Sequence, residues 1–285
     1  MTGAIYDPRV CLLGEGPLWH PERKQLFWFD ILGKKLLSQD SNGALEWRFG
    51  EHVSAAGWVD RDTLLIASET ALFLFDLTTE RRADLVALEA DDPTTRSNDG
   101  RADPWGGFWI GTMGKTAEPG AGTIYRYYKG RLEPVAKDIT ISNAICFSPN
   151  RHHAYFGDTR RHHILRQRLG REGWPEGGAE VFIDLADEGL NPDGAVVDAE
   201  GCLWNAQWGA ARVARYAPDG RFLSAIRFPA SQVSCPAFGG HDLQTLFVTS
   251  ATQGLTDTGT HDGATFVAYP GVTGQREHRV IVSGG

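Results

Sequence analysis

Short apolar runs alternate with polar turns along the whole chain, and one unit recurs. It begins with a small or polar residue and a short apolar strand. A turn rich in Asp, Pro, Asn or Gly follows, and then a second strand that ends in a small or polar residue. The unit reads as Gly16–Asp30, Gly57–Ser68, Gly100–Thr112, Ala144–Asp158, Gly194–Ala206 and Pro236–Ser250. Successive starts lie 41, 43, 44, 50 and 42 residues apart, a period of the size of one propeller blade. Each unit leads into a second hairpin, such as Ile124–Tyr128 turning at Gly130 or Val213–Tyr216 turning at Gly220. No stretch carries apolar residues at a helical period. The pattern predicts an all-β chain, a six-bladed β-propeller with four-stranded blades around a central channel, forming one domain over 1–285. Arg9–Leu13 is expected to close the ring as an outer strand of the last blade. A parallel β-helix would need shorter and more uniform repeats.

Composition agrees with strands and turns. There are 34 Gly, 14 Pro, 9 Trp, 14 Phe and 7 Tyr against 2 Met, without the Ala, Leu, Glu and Lys bias of helical chains. Turn signals such as Ser41-Asn-Gly43, Asp219-Gly220 and Pro270-Gly271 separate the apolar runs. With 28 Lys and Arg against 36 Asp and Glu the net charge is −8, and there is no basic run. Such a surface repels phosphate backbones and anionic lipid, so neither nucleic acid nor membrane is an expected partner. Apolar runs such as Leu26–Phe29 and Leu72–Phe75 fall far short of the ~20 residues needed to cross a bilayer. The first residues lack a basic stretch followed by an apolar one, so the expected location is the cytoplasm. Cys11, Cys146, Cys202 and Cys235 form no C-x-x-C pair and are expected as buried, reduced thiols.

In a propeller, equivalent positions of the innermost strands face one axis. The residues just before the six repeat starts are Glu15, Ala56, Asp99, Asn143, Asp193 and Cys235. Four of these six carry side-chain oxygens where a buried strand should be apolar. Any one of them could merely cap a turn. Together, converging carboxylates repel one another unless a cation neutralises them, which predicts a divalent metal site.

These residues lie in stretches that resemble one family. The stretches are Leu13-Gly-Glu-Gly-Pro-Leu-Trp19, Arg96-Ser-Asn-Asp-Gly-Arg-Ala-Asp-Pro104 with Gly111-Thr-Met113, Ile141-Ser-Asn143, and Asn191-Pro-Asp-Gly194 with Asp198-Ala-Glu-Gly-Cys-Leu-Trp204. In order and over almost the whole chain, they resemble the SMP-30/gluconolactonase/regucalcin family. The resemblance implies a six-bladed propeller that hydrolyses a sugar lactone with one divalent cation. It implies Glu15, Asn143 and Asp193 as metal ligands, Arg96 and Asn98 as substrate-binding residues, and Asp99 beside the metal and its waters. Hard oxygen ligands suit Ca²⁺, Mg²⁺ or Mn²⁺, with Zn²⁺ and Fe²⁺ also accommodated. Asp193 has a second oxygen to take a proton from water, which makes it the expected catalytic base. Some members of the family carry a substrate-contacting glutamate shortly after Gly-Thr-Met. The counterpart here is Glu118, with Lys115 competing for the role.

Other signals point elsewhere or nowhere. His152-His153 and His162-His163 are adjacent pairs that cannot chelate together from a regular strand, and they are expected on solvated loops or outer strands. His241 is expected in a turn. The chain has no G-x-S-x-G elbow and no H-E-x-x-H. Gly14-Glu-Gly16 lacks the rest of a dinucleotide fingerprint. The reading that follows is a metal-dependent sugar lactonase acting on an aldonolactone. Its rivals are a metal-dependent esterase or organophosphate hydrolase and a non-catalytic calcium-binding regulator. The sequence does not disclose the oligomeric state.

Overall fold

A computed structural model describes residues 2–282. Twenty-four strands form six separate four-stranded sheets, each antiparallel. Blades one to five are sequence-consecutive meanders over residues 14–48, 53–87, 95–139, 142–184 and 191–227. Blade six takes Val233–Gly239, Thr245–Ser250 and Thr265–Ala268 and is completed by Ala4–Asp7 from the start of the chain. This is the six-bladed propeller that the repeat predicts. The ends of the predicted 1–285 span, Met1 and 283–285, lie outside the described residues.

The closing strand differs from expectation. Ala4–Asp7 pairs with Thr265–Ala268, whereas Leu13 of the expected segment makes only an isolated bridge to Ala251. Pro8 follows Asp7 and has no N–H to give to a ladder, so the pairing stops there. Arg9 then folds back, its guanidinium on the Asp7 carboxylate (2.8 Å) and on the carbonyls of Ser38 and Leu45 in blade one.

The core is distributed. Six apolar clusters occupy the six interfaces between neighbouring blades, one of them built from Phe27, Phe29 and Leu36 of blade one against Leu64, Ile66 and Phe73 of blade two. Strands pressed between two sheets bury both faces, which is why Gln25–Asp30 is wholly buried while the outermost Gly43–Arg48 is largely exposed. Because apolar burial happens between blades, the axis is free to hold polar groups. All four cysteines are buried and free.

The innermost strands are Gly14–His20, Val53–Trp58, Thr95–Ala102, Ser142–Phe147, Asn191–Val197 and Val233–Gly239. Each breaks register with its neighbour near its start, for instance between Glu15 and Leu18, Asn143 and Cys146, and Pro192 and Ala195. An extra residue at that point bends the strand and re-aims a side chain. The twist needs a positive φ at Gly16 (53°), where a Cβ would also meet the Ser54 carbonyl at 2.3 Å.

Candidate active site

The bulged starts of the inner strands surround the floor of a cavity of about 540 Å³ at one end of the channel. Glu15 from blade one, Arg96 and Asn98 from blade three, Asn143 from blade four and Asp193 from blade five all reach its wall. Residues up to 178 positions apart in sequence therefore meet, because one extra residue per strand turns each side chain toward the axis. Asp99 is buried but does not reach the wall. Its carboxylate accepts the Ile145 N–H at 2.7 Å, behind the cavity floor. Ala56 and Cys235, the remaining repeat positions, are buried.

Within this group the polar side chains hold one another. Asn98 Nδ2 donates to Asn143 Oδ1 (3.1 Å) and to the Ser142 carbonyl (2.8 Å), while Asn98 Oδ1 accepts from Arg96 (2.7 Å). Asn143 Nδ2 donates to Thr159 Oγ1 (2.8 Å), so both ends of its amide are held, the oxygen by Asn98 and the nitrogen by Thr159. Asn205, on the second strand of blade five, donates to the carbonyls of Asp193 (2.9 Å) and Gly194 (3.2 Å) and pins that bulge. Sequence reading passed over Asn205. Its signal was a lone amide inside the apolar run Leu203–Ala206.

Electrostatically the group is short of positive charge. Burial, and next the Asp99 carboxylate, push Glu15 up to about 8. Burial, then Glu15 and Asp99, hold Asp193 well above the usual carboxylate range. Burial raises Asp99 to about 6. The Arg96 guanidinium is itself lowered by burial, to about 10, against the pull of Glu15 and Asp193. Arg101 offsets part of the charge at Asp99, but Glu15 and Asp193, with the weakened Arg96 guanidinium as their cation, either keep protons or take up a further cation. Two carboxylates and a fixed amide oxygen are a hard donor set, and Glu15, Asn143 and Asp193 fit a divalent ion on that ground.

The rim comes from the loops. Lys115, Thr116 and Ala117 stand on one side, Thr159, Arg160 and His162 on another, and Trp208, Gln232 and Gln253 complete the wall. Lys115 is tied to Glu69 of blade two (2.7 Å). Glu118 is not in the wall. Its carboxylate turns back onto Thr116 Oγ1 (2.5 Å) and Thr116 N–H (3.2 Å), so Lys115 stands at the rim where the glutamate was expected. His162 corrects a second expectation. It follows a turn of 3₁₀ helix, Thr159–Arg161, and lines the cavity, its Nδ1 bonded to the Leu190 carbonyl (2.8 Å). His241 sits in an exposed turn, as expected.

A second acidic cluster, Asp198, Glu200 and Cys202, lies near the other end of blade five's inner strand. Asp198 there accepts from Arg215 (2.7 Å), from Trp204 Nε1 (3.0 Å) and from two backbone N–H groups, and Arg215 also holds Glu200 (2.6 Å). A side-chain cation already occupies the place that a metal would take.

Known proteins resemble the chain over nearly its full length. The model of a family described as the SMP-30/Gluconolactonase/LRE-like region matches residues 13–252. An L-arabinolactonase of Azospirillum brasilense is 37% identical, the match covering 90% of this chain and 88% of that one. A 6-deoxy-6-sulfogluconolactonase of Pseudomonas putida is 34% identical, over 87% and 86%. Among solved structures, a calcium-binding protein, regucalcin, from Agrobacterium tumefaciens superposes with a TM-score of 0.95 at 40% identity, covering 99% of this chain and 98% of that one. No described helix is long and apolar enough to cross a membrane.

Proposed function

The chain belongs to the SMP-30/gluconolactonase/LRE-like family, and from that premise we propose that it hydrolyses a sugar lactone to the aldonic acid with one divalent cation held by Glu15, Asn143 and Asp193. The observation that carries the reading is the pair of buried carboxylates, Glu15 and Asp193, that face a cavity of about 540 Å³ beside the Asn143 amide. The named activities of two relatives, on arabinolactone and sulfogluconolactone, point to the substrate class.

A bound cation would supply Lewis-acid polarisation of the lactone carbonyl and a more acidic water. Asp193 has a second carboxylate oxygen free to hold the proton given up by the water that adds to the acyl carbon. When the acyl carbon–ring oxygen bond breaks, the same proton goes to the departing alkoxide, leaving a hydroxy acid. Asn98 orients the ligand amide of Asn143 and presents Arg96, whose fork of donors faces lactone or hydroxyl oxygens. Leu13, Met113, Ile141 and Trp208 form the apolar part of the wall. They exclude bulk water and offer a flat surface to the C–H face of a sugar ring. Lys115, in place of Glu118, faces the ring substituents from the rim.

The test is a panel of five- and six-membered aldonolactones read by acid release, with metal-stripped protein and then with Ca²⁺, Mg²⁺, Mn²⁺, Zn²⁺ and Fe²⁺ added singly. Activity on at least one lactone that appears only with cation is expected. Cation binding without any lactone turnover would favour a calcium-binding regulator, and turnover of phosphotriesters alone would favour the organophosphate hydrolase.

A further inference from the structure

At the end of the channel opposite the cavity the chain returns on itself. Residues 273–281 cross beneath the inner strands. The Ala199 N–H donates to the Thr273 carbonyl (2.9 Å), Gly274 to Leu243 (2.8 Å), Val280 to Trp58 (2.9 Å) and Ile281 to Gly106 (2.8 Å). Trp58 Nε1 donates to the Glu277 carbonyl (3.0 Å). The segment thus touches blades two, three, five and six. Gly57 leaves room for it, since a Cβ there would meet Val280 Cγ2 at 2.5 Å.

Two side chains at this end form rungs between the inner strands of blades four and five. Gln275 Nε2 donates to the carbonyls of Phe147 (3.0 Å) and Val197 (2.9 Å). Arg101 donates to the carbonyls of Ile145 (3.3 Å) and Ala195 (3.4 Å), and its third nitrogen pairs with the buried Glu277 carboxylate of the returning segment. The rungs therefore lie two and four residues beyond Asn143 on one strand and beyond Asp193 on the other. Ile145 is gripped at both ends, its carbonyl by Arg101 and its N–H by Asp99. The two strands belong to different sheets with no shared ladder. Their separation is set by packing, by Thr159 at the cavity end, which donates to the Pro192 carbonyl (2.6 Å), and by these two rungs.

We propose that the returning segment is a positioning element for the site: Gln275, and Glu277 through Arg101, hold the strands of blades four and five at the spacing that lets Asn143 and Asp193 share one cation. The proposal rests on the reading of those two residues as ligands. Neither Gln275 nor Glu277 touches substrate, so their role is in cation affinity. Partners that orient metal ligands typically change affinity by about 10–100-fold when removed. A merely structural segment would lower the melting temperature and leave the affinity alone.

The experiment is calorimetric titration of Mn²⁺ into metal-stripped full-length protein, comparing wild type with Gln275→Leu, Glu277→Gln and Asn143→Ala. Gln275→Leu keeps bulk and removes both donors. Its Kd for Mn²⁺ should rise by about 10–100-fold, that of Glu277→Gln should rise by less, and kcat should recover at saturating Mn²⁺. Gln275→Asn, with the amide on a shorter stem, serves if the leucine variant does not fold, and the same rise is expected. Binding lost in Asn143→Ala but unchanged in the Gln275 variants overturns the positioning role alone. Binding retained in Asn143→Ala overturns the metal-site reading and the positioning role with it.

Discussion

Two acidic clusters lie toward opposite ends of the same inner strand of blade five. Asp193, with Glu15, faces the cavity, and Asp99 is buried behind them; Asp198, with Glu200 and Cys202, sits beyond the strand's other end. Proximity of acidic groups is common to both. They differ in what balances the charge. Asp198 is saturated by Arg215, Trp204 and backbone N–H groups, whereas burial and mutual repulsion push Glu15 and Asp193 above the usual carboxylate range. The two clusters differ less in the number of carboxylates than in whether an internal cation satisfies them.

The comparison breaks most sharply on Asp193. Asp193→Asn keeps the shape and one oxygen for the cation but cannot take a proton. With saturating cation kcat should stay down by about 10²–10⁴, the usual contribution of a general base. Asp193→Ala should lose cation binding as well. Recovery of near wild-type turnover in Asp193→Asn would leave that residue a ligand only and place the base elsewhere in the cavity wall. Asp198→Asn is the mirror experiment. It should leave cation affinity and kcat unaltered while destabilising the fold by about 1–3 kcal/mol, because Arg215 and Trp204 lose a buried charged acceptor while Arg215 keeps Glu200. A denaturant melt and a Mn²⁺ titration on the same sample check both halves.

Cation removal comes next. A ligand present at 100 times its Kd stabilises the state that binds it by about 2.7 kcal/mol. Metal-stripped protein should therefore melt lower and recover with added Ca²⁺, Mn²⁺ or Zn²⁺, in Asp198→Asn as in wild type. Elemental analysis without a bound divalent ion, together with no thermal shift, would remove the distinction between the clusters.

The pH dependence sharpens it further. Glu15 stands at about 8 in the fold against an ordinary 4.5. A carboxyl raised by folding favours the folded state while it is protonated, so its contribution is complete below about 4.5 and is lost as pH climbs to about 8. The melting temperature of metal-free protein should fall over that window, and saturating cation should abolish the fall. A flat profile in metal-free protein would mean that the cavity carboxylates are as well compensated as Asp198. The smallest effect is expected from Arg96→Ala, which removes donors and no ligand. KM for polyhydroxylated lactones should rise, or kcat fall, with cation affinity retained.

Much of this was legible in the chain itself. Strand propensity, turn chemistry and the blade-sized repeat are short-range properties, so the six four-stranded blades could be read from Gly16–Asp30 and its five successors. The same repeat singled out Glu15, Asp99, Asn143 and Asp193 as oxygen-bearing positions, and the family resemblance picked Glu15, Asn143 and Asp193 from among them. Glu118 and Lys115 were harder to tell apart, since the 114–121 loop has no period to fix which side chain turns inward. His162 was misplaced for the same reason.

By itself, then, the sequence determined the number of blades, their strands, and the four inner strands that carry an oxygen-bearing residue at the repeat position, because these follow from patterns spanning a dozen residues. Tertiary structure decided the rest. It set the bulges that turn those oxygens to the axis and placed Asp99 behind the wall and not in it. It chose Ala4–Asp7 over Arg9–Leu13 to close the ring, and it returned residues 273–281 beneath the inner strands of blades four and five. Each of these pairs residues far apart in the chain, and the closing of the ring, which brings first and last blades together, is what makes them neighbours.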